Sequence, residues 1–190
     1  MREIVAPLLA ADPEAHHVIM PAVQPFAPSS DGPGPYLEGG DIICYQNHLF
    51  VGESDIATNR AGTDWLIDYI TPFGYQVHPM PMHGTILHLL GTMVLVAEGV
   101  LLLYQDELKE PLPAPLADWD VIELTEQEAR AYATVGVSLD EKRYVIPAGL
   151  GRVCDELAKR GVEPIEIAYD YVSYWGGCVS CSTHAILRDP

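Results

Sequence analysis

The stretch DIICYQNHLFVGESDIATNRAGTDWLIDYITPFGYQVHPM, residues Asp41–Met80, decides the fold class. Two short apolar runs flank "YQNH", the pattern of a β-hairpin. Trp65, Leu66, Tyr69 and Ile70 then recur at helical spacing, and Pro72 and Gly74 stop that helix. "YQVHPM" follows as a third strand. The stretch therefore reads as strand–strand–helix–strand.

The same order recurs along the chain. "ILHLLGTMVLV" and "GVLLLY" read as two strands around a turn at "AEG", and "DVIEL" as a third. The segment between them, "QDELKEPLPAPLADW", is a poor helix because of its three prolines. "YATVGVSL" and "YVIPAG" form another hairpin. "GRVCDELAKRG" is a helix closed by Gly161, and "VEPIEIAY" is the closing strand. Units repeating at about forty to fifty residues point to a repeat architecture of mixed α/β class. Residues 1–36 are dense in Pro, Gly and Ser and read as an N-terminal extension leading into one domain, 37–190.

Composition excludes several functions. The chain has 27 acidic and 10 basic residues and a net charge of −17. Phosphate-backbone binding needs clustered Lys and Arg, and no such cluster occurs, so nucleic acid is not expected as a partner. An acidic surface favours solubility and cationic small molecules. The apolar segment Ile86–Leu103 is interrupted by His88, Gly91 and Glu98, so no membrane span is expected. The first residues lack a signal-peptide pattern, and four cysteines are too few for a disulfide scaffold. These features predict a soluble, cytoplasmic protein.

Three segments carry candidate chemistry. "LEGGD" sets Glu38 and Asp41 around a glycine pair that permits close approach of a ligand. "LHLLGTM" places His88 in an apolar strand, where a core role and an acid–base role beside a carboxylate are both open. "WGGCVSCST" places Cys178 and Cys181 three residues apart. Four readings of that pair stand: zinc ligands, a redox pair, buried structural thiols, or one nucleophile whose partners lie elsewhere. The absence of a second such pair weighs against zinc.

The order "LEGGD…SDIATNRAGTDWL…LHLLGTM…GGCVSCST" resembles the guanidino-group-modifying enzymes of the pentein superfamily. The resemblance is to the amidinotransferase branch above all, with similarity to dimethylarginine dimethylaminohydrolases. It implies a β/α-propeller of repeated ββαβ units, here partial, with about three of the family's five blades. It implies Cys181 as nucleophile, by the match of Gly176, Gly177, Cys181 and Thr183 to the family's glycine–cysteine segment. It implies His88 as acid and base, Glu38 as catalytic carboxylate and Asp41 in substrate binding. The implied reaction passes through a covalent amidino-enzyme with arginine or a related guanidine, and uses no cofactor and no metal. Leu90 stands where amidinotransferases have an aspartate, and Ala57 where the hydrolases have an arginine. With so few blades, the resemblance also implies a homo-oligomer or a partner chain completing the propeller.

Overall fold

The computed structural model describes residues 34–183, together with Val18 and Met20. The N-terminal extension therefore lies almost wholly outside the described residues, as does the segment from His184 onward.

Nine strands form three separate sheets of three among the described residues. The first unit is β1 (Ile42–Tyr45), β2 (His48–Glu53), α1 (Arg60–Ile70) and β3 (Gln76–Pro81). The second begins with a single helical turn, α2 (Leu89–Thr92), and continues through β4 (Met93–Ala97), β5 (Val100–Leu103) and β6 (Asp120–Glu123). The third begins with α3 (Glu126–Arg130) and comprises β7 (Val137–Asp140), β8 (Arg143–Pro147), α4 (Gly151–Lys159) and β9 (Glu163–Ile167). In every unit the first two strands pair antiparallel and the third joins parallel to the second. A parallel partner requires a crossover connection. Helices α1 and α4 supply it in the outer units. Between β5 and β6, where Pro111, Pro113 and Pro115 deny an α-helix its amide donors, two 3₁₀ turns, Gln105–Glu107 and Ala114–Leu116, supply it instead.

The middle strand of each unit is buried on both faces, and the two-residue period of a strand divides its side chains between two cores. Leu49 and Val51 of β2 meet Leu66 of α1, whereas Phe50 faces Met80, Leu101 and Leu103. Leu101 and Leu103 of β5 join that second core, and Leu102 points the other way, to Ile122, Tyr144 and Leu157. On β8, Tyr144 and Ile146 face Leu102, while Val145 turns to Val135 and Cys178. The sheets are thus joined face to face in chain order through apolar cores. Burying a Leu or Phe fully is worth about 1.5–3 kcal/mol, so these shared cores hold the units together.

Two expectations are corrected. "ILHLLGTMVLV" is not one strand: residues 84–88 bend, Leu89–Thr92 form α2, and only Met93–Ala97 are extended. The cause is long-range, because Asp41 captures the first backbone amide of that turn. "YATVGVSL" is extended only from Val137. The residues before it follow α3, which Thr125 and Glu128 start with a reciprocal capping box. No described helix is long and apolar enough to cross a membrane.

Candidate functional site

The loop Glu38–Asp41 is built by residues of "ATNRAG". Asn59 caps α1, its side chain accepting from the Gly62 amide at 3.0 Å and the Tyr36 amide at 3.1 Å. Thr58, fully buried, accepts from the Glu38 amide at 2.9 Å. The chain at Tyr36 runs so close to the first turn of α1 that a Cβ on Gly62 would sit 1.8 Å from the Tyr36 carbonyl oxygen. These contacts make residues 36–41 a fixed ledge along the helix N-terminus.

Asp41 is 1% exposed. Its carboxylate accepts from the Leu89 amide at 2.9 Å and from the Thr58 amide at 3.2 Å. Burial pushes its carboxyl above the usual aspartate range; the Thr58 hydroxyl, the Leu89 amide and the nearby His88 act in the opposite direction. Asp41 is thereby a rivet between the ledge and the start of α2. Gly52 makes room for it, since a Cβ there would fall 2.9 Å from Asp41 Oδ1.

His88 occupies the N-cap position of α2 in extended conformation, not the strand interior expected from its apolar neighbours. Its ring lies over Gly40, where an added Cβ would fall 2.6 Å from Nδ1 and 2.7 Å from Cγ. Nε2 is 2.7 Å from Glu38 Oε2. An ionised carboxylate only accepts, so Nε2–H donates and Nδ1 is the ring nitrogen left for proton exchange. The glycine pair of "LEGGD" thus works through Gly40, whose missing side chain admits the imidazole. Both groups face solvent in part, the His88 side chain at 27% and Glu38 at 51% exposure.

A buried carboxylate that sequence reasoning missed supports the approach to His88. Glu107, 1% exposed, accepts from the Gly84 and Thr85 amides at 2.7 and 2.9 Å and from the Thr85 hydroxyl. Its own carbonyl accepts from the His83 amide. Glu107 thereby ties residues 83–85 to the second unit. Nothing local in "YQDELKE" marks it, because the partners of its carboxylate lie more than twenty residues away.

Cys181 stands apart. It lies in a 3₁₀ turn, Ser180–Ser182. It is exposed, whereas Cys178 is fully buried against Val135 and Val179. The turn is fastened to the third unit by the Ser180 amide, which donates to the Val135 carbonyl. Gly176 and Gly177, with φ of 88° and 89°, deliver the chain to it through left-handed conformations. The structure therefore brings Glu38, Asp41 and His88 together, and no hydrogen bond links Cys181 to them among the described residues. No group of three or more His, Cys, Asp or Glu side chains there is placed to hold a metal ion.

No family model matches the chain. In sequence it is 27% identical over 168 residues to the N(G),N(G)-dimethylarginine dimethylaminohydrolase of Pseudomonas aeruginosa, covering 86% of this chain and 63% of that protein. In structure it is similar to the inosamine-phosphate amidinotransferase StrB1 of Streptomyces griseus, with a TM-score of 0.74 and 18% identity over 88% of this chain and 52% of that one. It is similar also to SxtG, an amidinotransferase of the saxitoxin biosynthetic pathway from Microseira wollei, with a TM-score of 0.70 and 21% identity over 80% of this chain and 47% of that one. The likeness to guanidino-group-modifying pentein enzymes thus holds on two grounds, sequence for the hydrolase and fold for the amidinotransferases. The chain spans between half and two thirds of the length of the curated relatives it matches.

Proposed function

We propose that the chain is a guanidino-group-modifying enzyme of amidinotransferase type, with Cys181 as nucleophile, His88 as acid and base, and Glu38 as the carboxylate that holds His88. The observation that carries this reading is the Glu38–His88 hydrogen bond, 2.7 Å long between residues fifty positions apart, seated on a glycine that only a close imidazole requires.

In this reading the Cys181 thiolate attacks the central carbon of a bound guanidinium. The C–N bond to the leaving amine breaks while His88 delivers a proton to that nitrogen. The remaining amidino group stays on sulfur. An incoming amine, or water, then gives its proton to His88 and displaces the thiolate. Covalent capture divides one difficult substitution into two easier ones, and positioned proton transfer contributes about 10²–10⁴-fold. Glu38 keeps the ring oriented. Asp41, its oxygens already engaged with the Thr58 and Leu89 amides, serves substrate binding by fixing the ledge and the His88 turn. A net charge of −17 suits a cationic substrate.

Residues 37–190 are in this reading a partial propeller, its units the blades, and a second copy or a partner chain completes the ring and brings the face bearing Cys181 to the Glu38–His88 pair. The exposed Tyr171, Tyr174 and Trp175, just ahead of Cys181, favour such a covering partner. The test is product analysis of the purified chain with arginine, alone and with glycine, alongside its native mass. Transfer of the amidino group to glycine supports the transferase, and citrulline supports the hydrolytic variant. Neither product, from monomer or oligomer, refutes an enzyme acting on arginine.

A further inference from the structure

The proposed reaction uses one of two neighbouring thiols and leaves Cys178 without a role. Their arrangement is asymmetric. Cys178 is fully buried and Cys181 is exposed, and both are free thiols. The chain between them is curled: Val179 is in the right-handed helical conformation and Ser180–Ser182 form a 3₁₀ turn. The Ser182 hydroxyl donates to the Cys178 carbonyl at 3.4 Å, so the curl takes in Cys178, whereas on an extended strand residues three apart would point to opposite faces. Gly177 brings the sulfur back toward the chain. A Cβ added there would lie 3.3 Å from Cys181 Cβ and 3.4 Å from its Sγ, so the side chain rests on the backbone immediately preceding Cys178. Burial raises the Cys178 thiol above its usual range, with the Val179 amide acting against it and the neighbouring Cys181 in the same direction.

We propose that Cys178 and Cys181 form a reversible intramolecular disulfide under peroxide, with exposed Cys181 meeting the oxidant and buried Cys178 resolving it. The Cys181 thiolate attacks one peroxide oxygen, the O–O bond breaks, and hydroxide leaves a sulfenic acid on Cys181. The Cys178 sulfur then attacks the Cys181 sulfur. The S–S bond forms, the S–O bond breaks, and the departing hydroxide takes the Cys178 proton as water. Two thiols and one peroxide give one disulfide and two waters. A dithiol reverses the bond by exchange. The bond stands independently of catalysis. Its consequence, that oxidation silences the nucleophile while guarding it from irreversible oxidation, rests on the reading of Cys181 given above.

The test uses the full reduced chain treated with hydrogen peroxide, then alkylated and cleaved with trypsin. The peptide spanning 161–188 contains both cysteines. It is expected to become about 2 Da lighter than its reduced form and to take up no alkyl group, and dithiothreitol should restore both sites. In Cys178→Ala, Cys181 should instead advance to the sulfinic acid, about 32 Da heavier and resistant to dithiothreitol. The proposal is overturned if the wild-type peptide carries two alkylated cysteines after peroxide, or the same sulfinic acid as the variant. Should Cys178→Ala not fold, as read by circular dichroism, the wild-type mass decides alone. Assaying guanidine turnover on the same samples separates the two claims. A disulfide in a chain that never turns over guanidine removes the catalytic reading and keeps the bond. Turnover without a disulfide does the reverse.

Discussion

Replacing Gly40 with alanine puts a methyl group where the His88 ring now lies. The new Cβ would be 2.6 Å from Nδ1 and 2.7 Å from Cγ, against about 3.5–4.0 Å for an unstrained contact between heavy atoms. The imidazole must therefore retreat by about 1 Å. The Nε2 to Glu38 distance of 2.7 Å then stretches beyond the roughly 3.2 Å limit of a good N–H···O bond. The backbone at Gly40 needs no left-handed conformation, so the fold should lose only about 1–3 kcal/mol from crowding. A displacement of this size at a catalytic group costs about 10²-fold in rate. The assay is ¹⁵N NMR of the imidazole, which reports whether Nε2–H is donated, paired with a thermal melt and the turnover measurement. The expected variant is folded, with the His88 ring signal shifted and turnover down about a hundredfold. An unchanged His88 signal in folded Gly40→Ala would refute the claim that Gly40 seats the ring.

Three further outcomes follow from the same contacts. Gly62→Ala, whose Cβ would sit 1.8 Å from a backbone oxygen, should lose about 3 kcal/mol or more in denaturant titration, since neither backbone segment can yield cheaply; a near-neutral result would mean that the ledge does not lie along α1. Glu107→Ala should cost about 1–3 kcal/mol by leaving the Gly84 and Thr85 amides without their carboxylate acceptor, and hydrogen exchange at those two amides should quicken relative to the Glu128 amide. The Arg152 guanidinium holds the Glu128 carboxyl down at about 2 against an ordinary 4.5. A depressed folded value stabilises above pH ~4.5 and fades as pH falls to ~2; linkage caps the effect at ~3 kcal/mol, and half-exposed Arg152 brings it to roughly 1–2. Arg152→Ala should therefore be less stable than wild type at pH 7 and nearly equal to it at pH 2, and a pH-independent difference would assign the loss to packing.

The three-strand units were legible because their signals are local. The short apolar run in "HLFVG", helical spacing in "DWLIDYI" and left-handed glycines such as Gly74, Gly99 and Gly161 each act within one turn or strand. The parts that escaped are set by distant partners. His88 sits in apolar sequence that reads as strand, yet Asp41, forty-eight positions earlier, captures the Leu89 amide and winds one helical turn. Glu107 looks like surface charge and is buried because residues 83–85 wrap it. The Glu38–His88 pair was legible only as a resemblance, since neither motif contains its partner. The glycines before Cys181 and the 3₁₀ turn around it separate it from Cys178 by burial, a difference their spacing does not encode.

The account turns on whether the thiol of Cys181 takes the amidino group. The most direct measurement is the intact mass of the chain, and of its 161–188 peptide, after rapid acid quenching in the presence of arginine. The account predicts a covalent amidino adduct on Cys181 that is retained in Cys178→Ala, absent in Cys181→Ala, and diminished in Glu38→Gln. An adduct on Cys178, or product formation that persists in folded Cys181→Ala, would contradict it.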